Sequence, residues 1–194
     1  MGLEVYTAPA LEPVSLTEAK AHLRVDITDD DTLITALITS AREMVEQITR
    51  RALISQTLDY KIDDWPGDYM ELPMPKLISI TSITYKLYSD GSTSTLSSAV
   101  YFAVTSTTPG RVALKPGQSW PGDSLYPYQA ITVRYVAGYG SAASSVPGPI
   151  KEAIKLLIGH LYENREASYA GNPNVSMLPM GVDKLLYPYR VFGW

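Results

Sequence analysis

Apolar residues recur at three- and four-residue spacing near both ends of the chain and alternate with polar ones through its middle. The first spacing marks one face of a helix, the second one face of a strand. Over 15–24, Leu16, Ala19 and Leu23 fall near one face, and Ser15 with Glu18 stands at capping-box spacing after Pro13. This predicts a helix that stops around Val25 and Asp26, short enough to need packing against its nucleation cost. Asp29, Asp30 and Asp31 then precede a longer run to Arg50. In it Ile34, Leu37, Ile38, Ala41, Val45 and Ile48 form one stripe, widened by Leu33 and Met44. The three carboxylates are expected to cap free amides of the first turn, and Arg50 and Arg51 to sit at the negative end of the helix dipole.

From Thr57 to about Val136 the period becomes two. Residues 58–62, 78–85 and 131–136 alternate and are rich in β-branched and aromatic side chains, with shorter candidates at 101–104 and 111–114. The links are turn-prone: Trp65-Pro66-Gly67-Asp68, Ser89-Asp90-Gly91-Ser92, Pro109-Gly110 and Trp120-Pro121-Gly122-Asp123. Five or six short antiparallel strands in a small sheet or barrel are expected. A small-residue linker, 139–145, and Pro147-Gly148-Pro149 then introduce a helix with Ile150, Ile154, Leu157, Ile158 and Leu161 on one face. A polar loop at 166–176 and a short amphipathic piece at 181–186, closed by Pro188, complete the pattern. Neither helical end makes a core alone, so the two are expected to pack together. The fold class is α+β: a small helical core from 1–56 and 141–194, with an inserted antiparallel β region at 57–140.

With 194 residues, 45% of them hydrophobic, the chain can bury a core without metal or disulfides. It has no cysteine, which removes thiol catalysis, a disulfide framework and Cys-based zinc or iron–sulfur sites. The first twenty residues lack a basic stretch followed by an apolar one, so no secretory signal is expected. No apolar run is long enough to suggest a membrane span. The net charge is −4; Lys and Arg number 5, 6 and 5 over 1–56, 57–140 and 141–194, against 9, 7 and 4 Asp and Glu. No segment carries the positive stripe of a sequence-reading DNA binder. Proximity to DNA remains compatible with this charge, because a channel through which DNA slides needs weak attraction rather than tight phosphate contacts.

Candidate chemistry is sparse. His22 and His160 lie on different predicted helices, and His160 with Glu163 at i, i+3 would need a third ligand to hold zinc. Asp29-Asp30-Asp31, with Asp63-Asp64 as a partner pair, lacks calcium-loop spacing and is explained by helix capping. No Gly-x-Ser-x-Gly elbow occurs, Gly138-Tyr139-Gly140 lacks the third glycine of a dinucleotide loop, and no phosphate-binding Gly-x-x-x-x-Gly-Lys loop is present. The expectation is a chain that is not an enzyme, with no catalytic, cofactor or metal site.

What stands out instead is the end of the chain. Leu185, Leu186, Tyr187, Tyr189, Phe192 and Trp194 concentrate apolar and aromatic surface there. Two readings are open: the segment covers a neighbouring subunit or another partner, or it folds back onto its own helices. The first makes these six residues the candidate assembly interface.

The ordered motifs resemble the phage gp6-like head–tail connector family, in particular its longer phage and prophage members. The resemblance rests on Pro13-Val14-Ser15-Leu16-Thr17-Glu18-Ala19-Lys20-Ala21-His22-Leu23-Arg24-Val25 before Asp29-Asp30-Asp31, then the helix over 33–49 and Arg50-Arg51-Ala52-Leu53-Ile54-Ser55-Gln56-Thr57. It continues through Leu72-Pro73-Met74-Pro75, Val133-Arg134-Tyr135-Val136-Ala137-Gly138-Tyr139-Gly140, Val146-Pro147 to Ile150-Lys151, and His160-Leu161-Tyr162-Glu163-Asn164-Arg165-Glu166. It ends in Leu185-Leu186-Tyr187-Pro188-Tyr189-Arg190. The resemblance implies a virion structural protein of the phage neck, present in the host cytoplasm before assembly. It would form a ring with copies of itself, commonly twelvefold, dock beneath the portal after DNA packaging and bridge to a stopper or tail-completion protein. Double-stranded DNA would pass nearby without sequence-specific binding, and no membrane is involved. Compact members of the family lack a strand region like 57–136, which reads as an elaboration projecting from the ring. The alternatives are a stopper or tail-completion protein, or a metal-dependent accessory enzyme of the particle.

Overall fold

The structure, a computed structural model, describes residues 1–164 and 180–192. The chain divides into two compact units, one of Met1–Ala10 with Ser55–Tyr139, the other of Leu11–Ile54 with the described part of Gly140–Gly193. The fold is α+β, as the periodicity predicts.

The β unit holds eight strands rather than five or six: β1 (Gly2–Thr7), β2 (Gln56–Ile62), β3 (Tyr69–Leu72), β4 (Leu77–Lys86), β5 (Thr93–Thr95), β6 (Tyr101–Val104), β7 (Gly110–Leu114) and β8 (Ile131–Ala137). They form two antiparallel sheets, ordered β1-β2-β8-β4-β5 and β3-β7-β6. The first ten residues therefore belong with the strands and not with the helices, because β1 pairs with β2. β8 is the central strand, with Ile131, Val133, Tyr135 and Ala137 buried on one face. On the other face Arg134 opposes Asp59 of β2, bonds both its carboxylate oxygens at 2.8 and 2.7 Å, and lies over the Tyr6 ring. Tyr135 reaches the Pro73 carbonyl at 2.7 Å, and burial pushes its hydroxyl well above the usual tyrosine range. Gly110 is glycine for want of room: a Cβ there would stand 2.3 Å from the Leu77 Cβ, so β7 approaches β4 only without a side chain.

The helical unit contains α1 (Leu16–Leu23), α2 (Asp31–Thr49), α3 (Gly148–Glu163) and α4 (Met180–Leu186). The capping box of α1 forms in both directions: Ser15 Oγ accepts from the Glu18 amide, and Glu18 accepts from the Ser15 amide. The first turn of α2 departs from expectation, since Asp30 makes no side-chain cap bond. Its carboxylate accepts instead from the Tyr162 hydroxyl, and Asp31 pairs with Lys20. Ile34, Ile38, Ala41 and Val45 of α2 are buried, as are Ile150, Ile154, Leu157 and Ile158 of α3, each Val, Leu or Ile side chain among them contributing about 2 kcal/mol. Leu161, expected on the same face of α3, is half-buried.

One charged network is enclosed in this unit. Arg42 bonds Glu12 at 2.8 Å and Glu46 at 2.7 Å, and the second oxygen of Glu46 accepts the Leu53 amide at 2.8 Å. Burial is the largest influence on Glu46 and pushes its carboxyl up, against the Leu53 amide and the Arg42 guanidinium, which favour the ion. Arg42 is shifted up as well, burial being outweighed by Glu46 and Glu12. Replacing Glu46 by Ala leaves the guanidinium short of a partner and a buried amide unpaired. Urea unfolding should show a loss of about 3 kcal/mol, and a loss below about 1 kcal/mol would mean the network is no more than a surface pair.

Candidate assembly site

The C-terminal segment is fixed at its backbone and open at some of its side chains. α4 leads into a 3-10 turn at Tyr187–Tyr189. The Val191 amide donates to the Thr49 carbonyl at the end of α2 (3.0 Å), and Arg51 Nε donates to the Tyr189 carbonyl (2.5 Å). Arg50, in left-handed conformation with φ 53°, ends α2 where these bonds begin. Arg51 is thus a positioning residue for the segment, beyond the dipole role its place at a helix end suggests.

The six candidate interface residues divide. Leu186 is fully buried in its own unit and Leu185 and Tyr189 are half-covered, so these fold back. Tyr187 and Phe192 remain 61% and 70% exposed and meet each other with ring centroids 6.1 Å apart. Trp194 lies outside the described residues, as does the polar loop 166–176. Within the segment Arg190 and Asp183 are bonded to one another at 2.7 Å, and Lys184 of α4 is exposed. The open surface is therefore a pair of rings on a backbone already held in place.

The residues considered for chemistry are occupied by structural work or stand apart. His22 lies against α3, its Nε2 being 3.6 Å from where a Cβ on Gly159 would sit. His160 pairs with Asn164 of its own helix. Asp63 accepts the Gln129 amide and Asp64 the Trp65 amide. Among the described residues no group of three His, Cys, Asp or Glu could hold a metal ion, and no helix is long and apolar enough to cross a membrane.

Residues 13–108 match the phage gp6-like head–tail connector protein family, close to half of the chain. The chain belongs to that family. As one of its members it is a structural connector protein. No curated protein matches this connector. Its fold is shared by solved chains that it covers over its full length and over 97% of theirs. One is in the neck of an empty GTA particle computed with C6 symmetry (TM-score 0.83, 24% identity). Another is in the virion of a native gene transfer agent (GTA) particle (TM-score 0.81, 22% identity). A third is in the neck of a native GTA particle computed with C12 symmetry (TM-score 0.80, 22% identity).

The connector's helical unit is tied from its early helices to α3 by Lys151, which pairs with Glu18 at 2.8 Å. The bond from Lys151, helped by the Ser15 amide, holds the Glu18 carboxyl down to about 2 from 4.5. A depressed carboxyl stabilises the fold above its unfolded pKa and loses that contribution as pH falls through the folded one. The melting temperature of Glu18→Gln should thus lie below that of the parent above about pH 5, with the gap closing toward pH 2. A gap independent of pH would assign the loss to packing alone.

Proposed function

We propose that this connector is the subunit of a ring-shaped head–tail adaptor in the virion neck, docked on the portal and surrounding the DNA exit channel. The observation that carries the reading is coverage: the whole chain, strands and helices together, superposes on neck chains of GTA particles, one in a neck with C12 symmetry. The likeness at these identities concerns fold, and the family match adds the connector role. Twelve copies of itself, the portal, and a stopper or tail-completion protein are then its partners. The net charge of −4 fits a ring past which DNA moves without being gripped.

A ring closes only if each subunit presents a surface that meets a different one on its neighbour. Tyr187 and Phe192 supply such a surface. Their backbone is already anchored, so ordering costs little at the moment of contact. Electron microscopy of the protein mixed with purified portal rings should show an added coaxial ring of density. Portal rings unchanged by the folded protein would remove the adaptor role and favour a station further down the neck.

The double variant Tyr187→Ala, Phe192→Ala separates assembly from folding. Both side chains are exposed, so unfolding free energy should change by less than about 1 kcal/mol. Ring formation on the portal should be lost, as particle counts by microscopy would record. Rings at the parent's concentration would show that other residues make the contact.

A further inference from the structure

One end of the β unit collects three loops. β2 ends at Ile62, β4 at Lys86 and β8 begins at Ile131, and Ile62, Ile131 and Tyr85 are lateral neighbours in the sheet. The loops are fastened to each other: Asp63 accepts the Gln129 amide at 2.7 Å, and the Tyr88 amide donates to the Ser124 carbonyl at 2.9 Å. The two Trp-Pro-Gly-Asp tetrapeptides clasp as well. Trp65 and Trp120 stack with centroids 5.0 Å apart and an interplanar angle of 5°, and Trp120 Nε1 donates to the Gly67 carbonyl at 2.6 Å. Trp65 also meets Tyr85 edge-on at 5.6 Å. The tip is a fixed platform rather than a set of separate turns.

The strand unit treats its exposed rings in a consistent way. Tyr6 carries Arg134, Tyr69 carries Arg111, Tyr126 carries Lys86 and Phe102 carries Lys115, at 3.3, 4.4, 4.0 and 5.4 Å from the ring centroids. For Tyr6 and Tyr69 a carboxylate completes the arrangement, Asp59 on Arg134 and Glu71 on Arg111. Tyr88 and Tyr128, at 65% and 69%, are the most exposed rings of the tip, and among the described residues no cation lies over either. Alternation across the Leu87–Leu125 bridge puts Tyr88 on the side of Lys86 and Tyr126, and Tyr128 meets Tyr126 edge-on at 6.1 Å.

The same three loops carry carboxylates without a cation among the described residues. Asp64, Asp68, Asp90 and Asp123 are exposed and form no ion pair among the described residues. The cations of the three loops, Lys86 and Lys115, are already over Tyr126 and Phe102. Beside them an open concavity of about 710 Å³ has Tyr60 and Met70 in its floor and Asp64 and Asp68 among its lining, while Asp63 there lies 3.9 Å from the Met1 ammonium. An apolar floor under an acidic rim suits the stem and head of a long basic side chain.

We infer that this tip is a docking surface for a protein partner presenting arginine or lysine side chains, which complete Tyr88 and Tyr128 as internal cations complete the other rings. Charge selects the occupant: the same carboxylates repel the phosphates of a nucleic acid, which the bare rings alone would also stack. The inference goes beyond the ring reading and stands without it.

The probe is an acetylated, amidated Arg-Gly-Arg-Gly-Arg peptide titrated at low salt into the full isotope-labelled chain and followed by NMR. Shift changes should concentrate in residues 63–68, 86–92 and 120–130. Tyr128→Ala should weaken binding by roughly three- to fivefold, and Asp90→Asn with Asp123→Asn by a similar factor, while spectra elsewhere stay as in the parent. Shift changes scattered over other acidic positions such as 29–31, affinities untouched by these variants, or a DNA duplex binding the same tip would each overturn it.

Discussion

Seven consecutive partners, from Gln56 opposite Ala137 to Ile62 opposite Ile131, join β2 to β8, so the chain enters the main part of the strand unit and leaves it on neighbouring strands. That adjacency solves a connection problem. α2 and α3 are separated by the whole strand segment, and bringing together the ends of so long a loop has an entropic cost that the sheet ladder meets locally. With exit beside entry, the helices before and after can bury their stripes in one unit. Ile34, Ile38 and Val45 on one side, and Ile150, Ile154 and Leu157 on the other, need no further device than the spacing they show.

Much of this was legible in residue pattern, and the failures have physical causes. Ser15 and Glu18 predicted their reciprocal cap because that motif is local. Asp29-Asp30-Asp31 misled because a carboxylate at a helix start has competitors: Lys20 and Tyr162, distant in sequence, take Asp31 and Asp30. β1, β3 and β5 escaped because they are edge strands with little pattern to read: five of the six β1 residues are exposed, β3 is four residues long and β5 is Thr-Ser-Thr. In the C-terminal segment, aromatic content was visible but its division was not. The switch from α4 to a 3-10 turn rotates successive side chains, burying Leu186 while leaving Tyr187 open. Both Trp-Pro-Gly-Asp turns were visible too, but that their tryptophans stack on each other is tertiary information.

The two open aromatic surfaces differ in what surrounds them, and the difference bears on what each can meet. At the C-terminal segment Arg190 and Asp183 are paired, Lys184 is exposed, and Tyr187 and Phe192 offer ring surface suited to an apolar patch. At the tip of the strand unit the carboxylates of Asp64, Asp68, Asp90 and Asp123 are unspent, and Asp90, accepting the Ser92 amide, is held below the usual carboxylate range and stays ionised. An apolar partner docking there would leave those charges desolvated and unpaired, a penalty the rings could not offset. A basic partner at the C-terminal segment would find the Asp183 carboxylate taken by Arg190 and would meet the exposed Lys184. The two surfaces therefore favour partners of different chemistry.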